Sequence, residues 1–320
     1  MTAVEGASAD RPLLVILRAL GLGDLLTAVP ALRALAEAFP DHRRLLAAPR
    51  QLAPIAALTG TLHKVVDAAP LTSLDESLGY MEVAVNLHGR GPQSHRLLLA
   101  RHPTRLIAFA HPEVVESAGM PRWIQDEHEV ERWCRLLRES GVPADPSRLD
   151  LPPPDRHLPD WTRGATIVHP GGKPACRWPP ERWAALARTE HERGRSVVIT
   201  GGPGEVALAT EVAHRGQLPA RSVLAGRTDL LDLAALVAAA GRVVCGDTGI
   251  AHLATALGIP SVVLFGPLSP AEWGPPANRP RHRVLWTGRR GDPHAAQSDP
   301  GLMELQVSTV LAEMDRLPAS

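Results

Sequence analysis

The chain has 320 residues, 44% of them hydrophobic, with 34 basic against 34 acidic side chains, so it is long enough for two ordinary domains and has no net field to draw in nucleic acid. Its three cysteines, Cys134, Cys176 and Cys245, are odd in number and far apart, which speaks against a disulfide framework, and no CxxC or His/Cys cluster points to zinc. Residues 1–10 do not read as a secretory signal, and no apolar run approaches the ~20 residues that span a bilayer, so a soluble cytoplasmic protein is expected.

In chain order, residues 13–17 (LLVIL) predict a buried parallel strand. A Gly-containing turn follows at 19–24, then a helix over 25–39 in which Pro30 would produce a kink. Strands are expected at 44–48, 64–67, 82–87 and 105–109, with helices at 93–101 and 127–140, the latter ending at Gly141. Residues 142–163 hold six prolines and read as a linker. A second series then begins: strand 165–169, helix 180–193, strand 196–200, a Gly loop at 201–204 and a helix to about 214. Strand 222–224, helix 230–240, strand 242–245, helix 250–257 and strand 261–265 come next. An edge strand at 284–286 and a final helix at 304–317 complete the chain. Two βαβ series of this kind imply doubly wound α/β domains, with ligand sites at the C-terminal ends of the strands.

Four segments carry candidate chemistry. Residues 245–249 (CGDTG) lie where a strand hands over to a helix, and the free amides and dipole of a helix start attract anions. Asp247 is unexpected beside a phosphate, and His252 lies about one turn on; an ordinary N-cap fits the spacing equally well. Gly23–Asp24 follow the first strand. Leu26 stands where a dinucleotide fingerprint needs a third Gly or Ala, so an NAD-dependent oxidoreductase or an epimerase is disfavoured. Asp24 fits either a general base for an acceptor hydroxyl or an N-cap. After the strand at 165–169, Gly171 and Gly172 would allow close backbone approach, and Lys173 and Arg177 would supply positive charge, or the loop is simply basic and held by Trp178. After the strand at 196–200, Gly202 and Glu205 could hold ribose hydroxyls, though an acidic first-turn residue is also ordinary helix chemistry. No Asp-x-Asp triplet occurs, so a diphosphate would be neutralised by amides, dipole and cations, without a metal.

These motifs together resemble the heptosyltransferase-like glycosyltransferases of family 9. The resemblance runs from about Leu14 to Pro267 and is strongest over 229–267, with GDTG-x-x-H, the N-terminal GD and RWP as its marks. It implies a GT-B fold: an N-terminal Rossmann-like acceptor-binding domain (1–155), a C-terminal Rossmann-like donor-binding domain (156–303) facing it across a cleft, and a last helix (304–320) packing back on the first. It also implies Asp24 as general base, with Asp247, Thr248, Gly249 and His252 at the donor diphosphate and sugar. The residue before RWP is commonly a leaving-group lysine in the family; here it is Cys176, and Lys173 or Arg177 would substitute. Asn86 stands where the family often has Asp. The expected activity is metal-independent inverting transfer of heptose from ADP-heptose, or another sugar from an NDP-sugar, in lipopolysaccharide core synthesis. The acceptor would be a glycan, glycolipid or natural product, and the protein a monomer with peripheral membrane contact allowed. The alternative is a nucleotide-sugar-binding protein with degenerate catalysis.

Overall fold

The structure is a computed structural model that describes residues 11–75 and 78–318. Residues 1–10, for which no signal pattern was expected, lie outside this range. The chain divides into two compact units between Leu149 and Asp150.

The first unit contains β1 (Leu13–Leu17), α1 (Leu22–Thr27), α2 (Val29–Ala38), β2 (Arg43–Ala48), α3 (Ala53–Ala57), β3 (Lys64–Asp67), β4 (Val83–Asn86), α4 (Gln93–Leu99), β5 (Arg105–Ile107) and α5 (Glu129–Glu139). Its sheet is parallel throughout, ordered β3-β2-β1-β4-β5. All five residues of β1 are buried, as the unbroken apolar run required of a central strand covered on both faces. Residues 25–39 do not form one helix. α1 and α2 meet at Ala28, with Pro30 in the first turn of α2, where its missing N–H costs nothing.

The second unit contains β6 (Thr166–His169), α6 (Pro180–Glu192), β7 (Val197–Ile199), α7 (Val206–Arg215), α8 (Leu230–Ala238), β8 (Arg242–Gly246), α9 (Gly249–Ala256), β9 (Ser261–Leu264), α10 (Pro270–Trp273), β10 (His282–Leu285), α11 (Pro300–Glu304) and α12 (Val307–Asp315). Its parallel sheet is ordered β10-β9-β8-β6-β7. The strand expected at 222–224 is a single parallel bridge, Ile199 to Val223, after a short 3-10 turn. Residues 142–163 hold no strand and only one 3-10 turn, yet Leu149, Leu151 and Leu158 are buried, so this stretch packs rather than dangles.

The final helix expected at 304–317 is α12, preceded by the short α11, and α12 packs against α6 and β9 of the second unit. Val310 and Met314 on α12 are buried in that unit's core beside Trp178 and Trp183. The apolar stripe of α12 is therefore satisfied within its own unit.

Each sheet has one place where strand order reverses: between β1 and β4 in the first, and between β6 and β8 in the second. At such a point the connections leave in opposite directions and open a crevice beyond the strand ends.

Candidate functional site

In the second unit, the loops that leave β6 and β8 flank the reversal. β6 ends at His169 opposite Cys245 of β8, and the loop after β6 turns through Gly171 and Gly172. Gly172 sits at φ +127, and a Cβ there would come 2.8 Å from Thr248 Cγ2. A Cβ on Gly171 would come 2.1 Å from Glu205 Oε1. A side chain at Gly171 would displace the Glu205 carboxylate, and one at Gly172 would be strained by the positive φ as well as by Thr248. Gly246, at the end of β8, is equally confined: its Cβ would lie 2.9 Å from the Cys176 carbonyl.

Glu205 is occupied. Its Oε1 accepts the Gly172 N–H and its Oε2 the Gly202 N–H, both at 2.7 Å. It ties the loop after β6 to the loop after β7, a clamp between residues 33 apart that no local pattern signals. Below it, His169 Nδ1 lies 2.9 Å from Thr200 Oγ1. Burial lowers the His169 pKa, and the Glu205 charge opposes this. Arg177 donates from Nε to the Gly172 carbonyl at 2.8 Å and so braces the same loop.

Thr248 is the N-cap of α9, extended at φ −148, ψ 171, and its side chain does not cap the helix. Its hydroxyl is directed to the Gly246 carbonyl at 3.4 Å. In α8 and α11, by contrast, Asp229 and Asp299 cap their own first turns. The plain N-cap interpretation of 245–249 therefore does not describe α9: the Ala251 N–H donates to the Thr248 carbonyl, and no side chain of the N-cap takes up the Gly249 and Ile250 amides.

Asp247 is half-buried. Burial pushes its carboxyl up to about 7, with the exposed Lys173 ammonium opposing. Cys176, in the short turn Pro174–Cys176, is also buried. Burial, with the Asp247 charge adding and Lys173 opposing, pushes its thiol up to about 11. A thiol so raised is protonated at neutral pH, which makes it neither nucleophile nor cation. His252 stacks edge-on to Trp273, with ring centroids 6.2 Å apart. The structure thus groups Gly171, Gly172, Lys173, Arg177, Gly202, Glu205, Asp247, Thr248 and Gly249 within one unit, with His252 one turn along α9.

Gly23 and Asp24 belong to the first unit. Asp24 is not the N-cap of α1 but its third residue; its Oδ2 accepts the Gly21 N–H at 3.1 Å. The carboxylate remains 25% exposed, and its Oδ1 lies 3.6 Å from Arg18 Nη2. Arg18 is 1% exposed. It donates to the Asp24 and Leu87 carbonyls, to Thr27 Oγ1 at 3.0 Å and to Glu129 Oε1 at 3.2 Å, and it stacks over Trp133. Neither Arg18 nor Glu129 stands in any of the four candidate segments. A signal was available: a charged side chain directly after five buried apolar residues must be paired inside the protein.

Asn86, at the end of β4, is fully buried. Its Nδ2 donates to Ser94 Oγ at 2.9 Å and to His95 Nδ1 at 3.1 Å, and its Oδ1 accepts the His88 N–H at 3.0 Å. His95 Nε2 lies 2.7 Å from the Phe109 carbonyl, so the ring donates there and accepts from Asn86. Among the described residues, no three His, Cys, Asp or Glu side chains are grouped to hold a metal ion, and no helix is long and apolar enough to cross a membrane.

The profile described as glycosyltransferase family 9 (heptosyltransferase) matches residues 120–298. Lipopolysaccharide heptosyltransferase 2 of Escherichia coli is 33% identical over 221 residues, covering 67% of this chain and 60% of that protein. Lipopolysaccharide heptosyltransferase 1 of Pseudomonas aeruginosa is 32% identical over 46% of this chain and 42% of its own length. The chain thus spans less than two thirds of these curated relatives. Among solved structures, E. coli ADP-heptose lipopolysaccharide heptosyltransferase II superposes with a TM-score of 0.75 at 20% identity, covering 95% of this chain and 98% of that one. A family 9 glycosyl transferase from Veillonella parvula gives 0.78 at 20% identity, with 95% and 96% covered. With two parallel, doubly wound sheets, these neighbours make the fold GT-B.

Proposed function

Because the chain belongs to glycosyltransferase family 9, we propose that it transfers heptose from ADP-heptose to a hydroxyl of a lipopolysaccharide core acceptor, on the cytoplasmic side, by inverting displacement without a metal. The observation that carries this is the junction of Gly172 with Thr248 at the strand-order reversal of the second unit. It sets the uncapped start of α9, the Gly171–Gly172 backbone and Lys173 around one place, which suits a diphosphate.

In the reaction, Asp24 takes the proton of the acceptor hydroxyl. The hydroxyl oxygen bonds to the anomeric carbon as that carbon's bond to the diphosphate oxygen breaks. The electron pair leaves on the nucleoside diphosphate, where the α9 amides and Lys173 meet its charge. Asp247 suits the donor side because a carboxyl titrating near 7 is in part neutral and can donate a hydrogen bond to an anion.

Asp24→Asn tests the base. Turnover should fall by about 100-fold or more, while ADP-heptose still raises the melting temperature as in the parent chain. Retained turnover rejects Asp24 as base. Cys176 favours a second reading, a nucleotide-sugar-binding protein with degenerate catalysis, because its protonated thiol supplies no charge to a leaving group. That reading predicts ADP-heptose binding with no transfer.

A further inference from the structure

The first unit has its own strand-order reversal, between β1 and β4. Asp24 lies just beyond β1 and His88 just beyond β4, with Leu17 paired to Asn86 where the strands end. Two titratable side chains therefore flank the crevice that this topology opens. The proposed reaction uses only one of them.

His88 is held firmly at its backbone. Its N–H is donated to Asn86 Oδ1 at 3.0 Å, and the preceding residue, Leu87, donates to the Leu17 carbonyl at 3.0 Å. Leu87 also accepts from Arg18, which reaches Asp24 from the other side. One buried guanidinium thus fixes both loops. The residue is half-buried, yet its Nδ1 is wholly buried and has no hydrogen-bond partner among the described residues. A bare lone pair buried without a partner is tolerated better than a buried N–H without an acceptor. The ring proton therefore belongs on Nε2, the other edge. Burial, with the Arg18 charge adding and Asp24 opposing, lowers the His88 pKa, which is consistent with a single ring proton.

We propose that His88 is a second acceptor contact: its Nε2–H donates a hydrogen bond to an acceptor oxygen beside the hydroxyl that Asp24 deprotonates. This rests on the transferase reading. It adds to that reading a requirement on the acceptor, which must present an oxygen lone pair next to the attacking hydroxyl, as a vicinal diol or a sugar carboxylate does. His88 is then a residue that sets acceptor specificity, and Arg18 the group that holds it in register with Asp24.

The test uses the whole chain, ADP-heptose and core oligosaccharides released from lipopolysaccharide, with His88→Ala and His88→Gln. A glutamine amide places an N–H close to the position of Nε2–H. His88→Ala should raise the acceptor KM about 10-fold, the cost of one such hydrogen bond. His88→Gln should restore it to within about 3-fold. In both variants the rise in melting temperature on adding ADP should match the parent. An unchanged acceptor KM in His88→Ala, or His88→Gln no better than His88→Ala, overturns the proposal. A parent chain that gives no transfer removes the transferase reading, and this proposal with it, which is a different result from an active parent indifferent to position 88.

Discussion

At the scale of single residues, the charged groups in this protein are defined by what surrounds them rather than by their own type. Asp247 and Asp24 are both aspartates just beyond a central strand. Asp24 is partly exposed and sits against Arg18; Asp247 is desolvated, with only Lys173 opposing. The raised carboxyl has a consequence with a definite sign. Folding favours the protonated form of Asp247, so the cost of ionising it is absent below the unfolded carboxylate range near ~4 and fully present above about 7. Asp247→Asn should therefore raise the melting temperature more at pH 8 than at pH 5. ADP-heptose, whose phosphates hold a fixed charge over this range, should bind the parent more weakly as pH rises through about 7, and Asp247→Asn should flatten that profile. Calorimetric titration from pH 6 to pH 8 checks it; a flat parent profile counts against the assignment. Asn86 shows the same dependence on neighbours. Its amide satisfies a His95 nitrogen that can only accept, because the other nitrogen donates to Phe109. A carboxylate in its place would meet a lone pair instead, so Asn86 and His95 are matched to each other.

At the scale of elements, the periodicity of the sequence located the strands and helices well, because buried parallel strands are continuous apolar runs and the helices carry an apolar stripe. LLVIL, TIVH and SVVL are strands where the pattern placed them. It failed where the reason was local or non-local chemistry. Pro30 opened a new helix instead of kinking one, and residues 222–224 gained a single bridge at the end of β7, Val223 to Ile199, with the Leu224 N–H donated to the Ile199 carbonyl. The glycine loops between elements are the most constrained backbone of the candidate site. Gly172→Ala must hold a Cβ at φ +127 and 2.8 Å from Thr248 Cγ2. It should cost about 1–3 kcal/mol of stability and weaken ADP-heptose binding, because the Thr248 side chain must shift to admit the Cβ. Denaturant unfolding and a binding isotherm read the two effects; an alanine variant of unchanged stability would mean that the loop adapts freely.

At the scale of the whole molecule, two units of the same architecture divide the chemistry. The groups suited to a diphosphate lie in the second unit and the candidate base in the first. If the donor is ADP-heptose as proposed, a screen of ADP-, UDP- and GDP-sugars by thermal shift should single out the ADP-sugars, whose stabilisation is about 2.7 kcal/mol at 100 times Kd and a shift of several degrees. Preference for a UDP- or GDP-sugar would reject ADP-heptose as donor while leaving the family assignment intact. By itself the sequence determined the two α/β series, the Gly-rich turns and the marks of family 9, because burial periodicity and turn chemistry are local properties of the chain. It left each candidate residue with an equally good structural role. Only the tertiary structure decided their contacts, since partners lie far apart in the chain: Glu205 taken up by the Gly172 and Gly202 amides, Thr248 leaving α9 uncapped, and Arg18 reaching Glu129, 111 residues away, through the core. It also showed where the apolar stripe of α12 is buried: Val310 and Met314 lie in the core of the second unit.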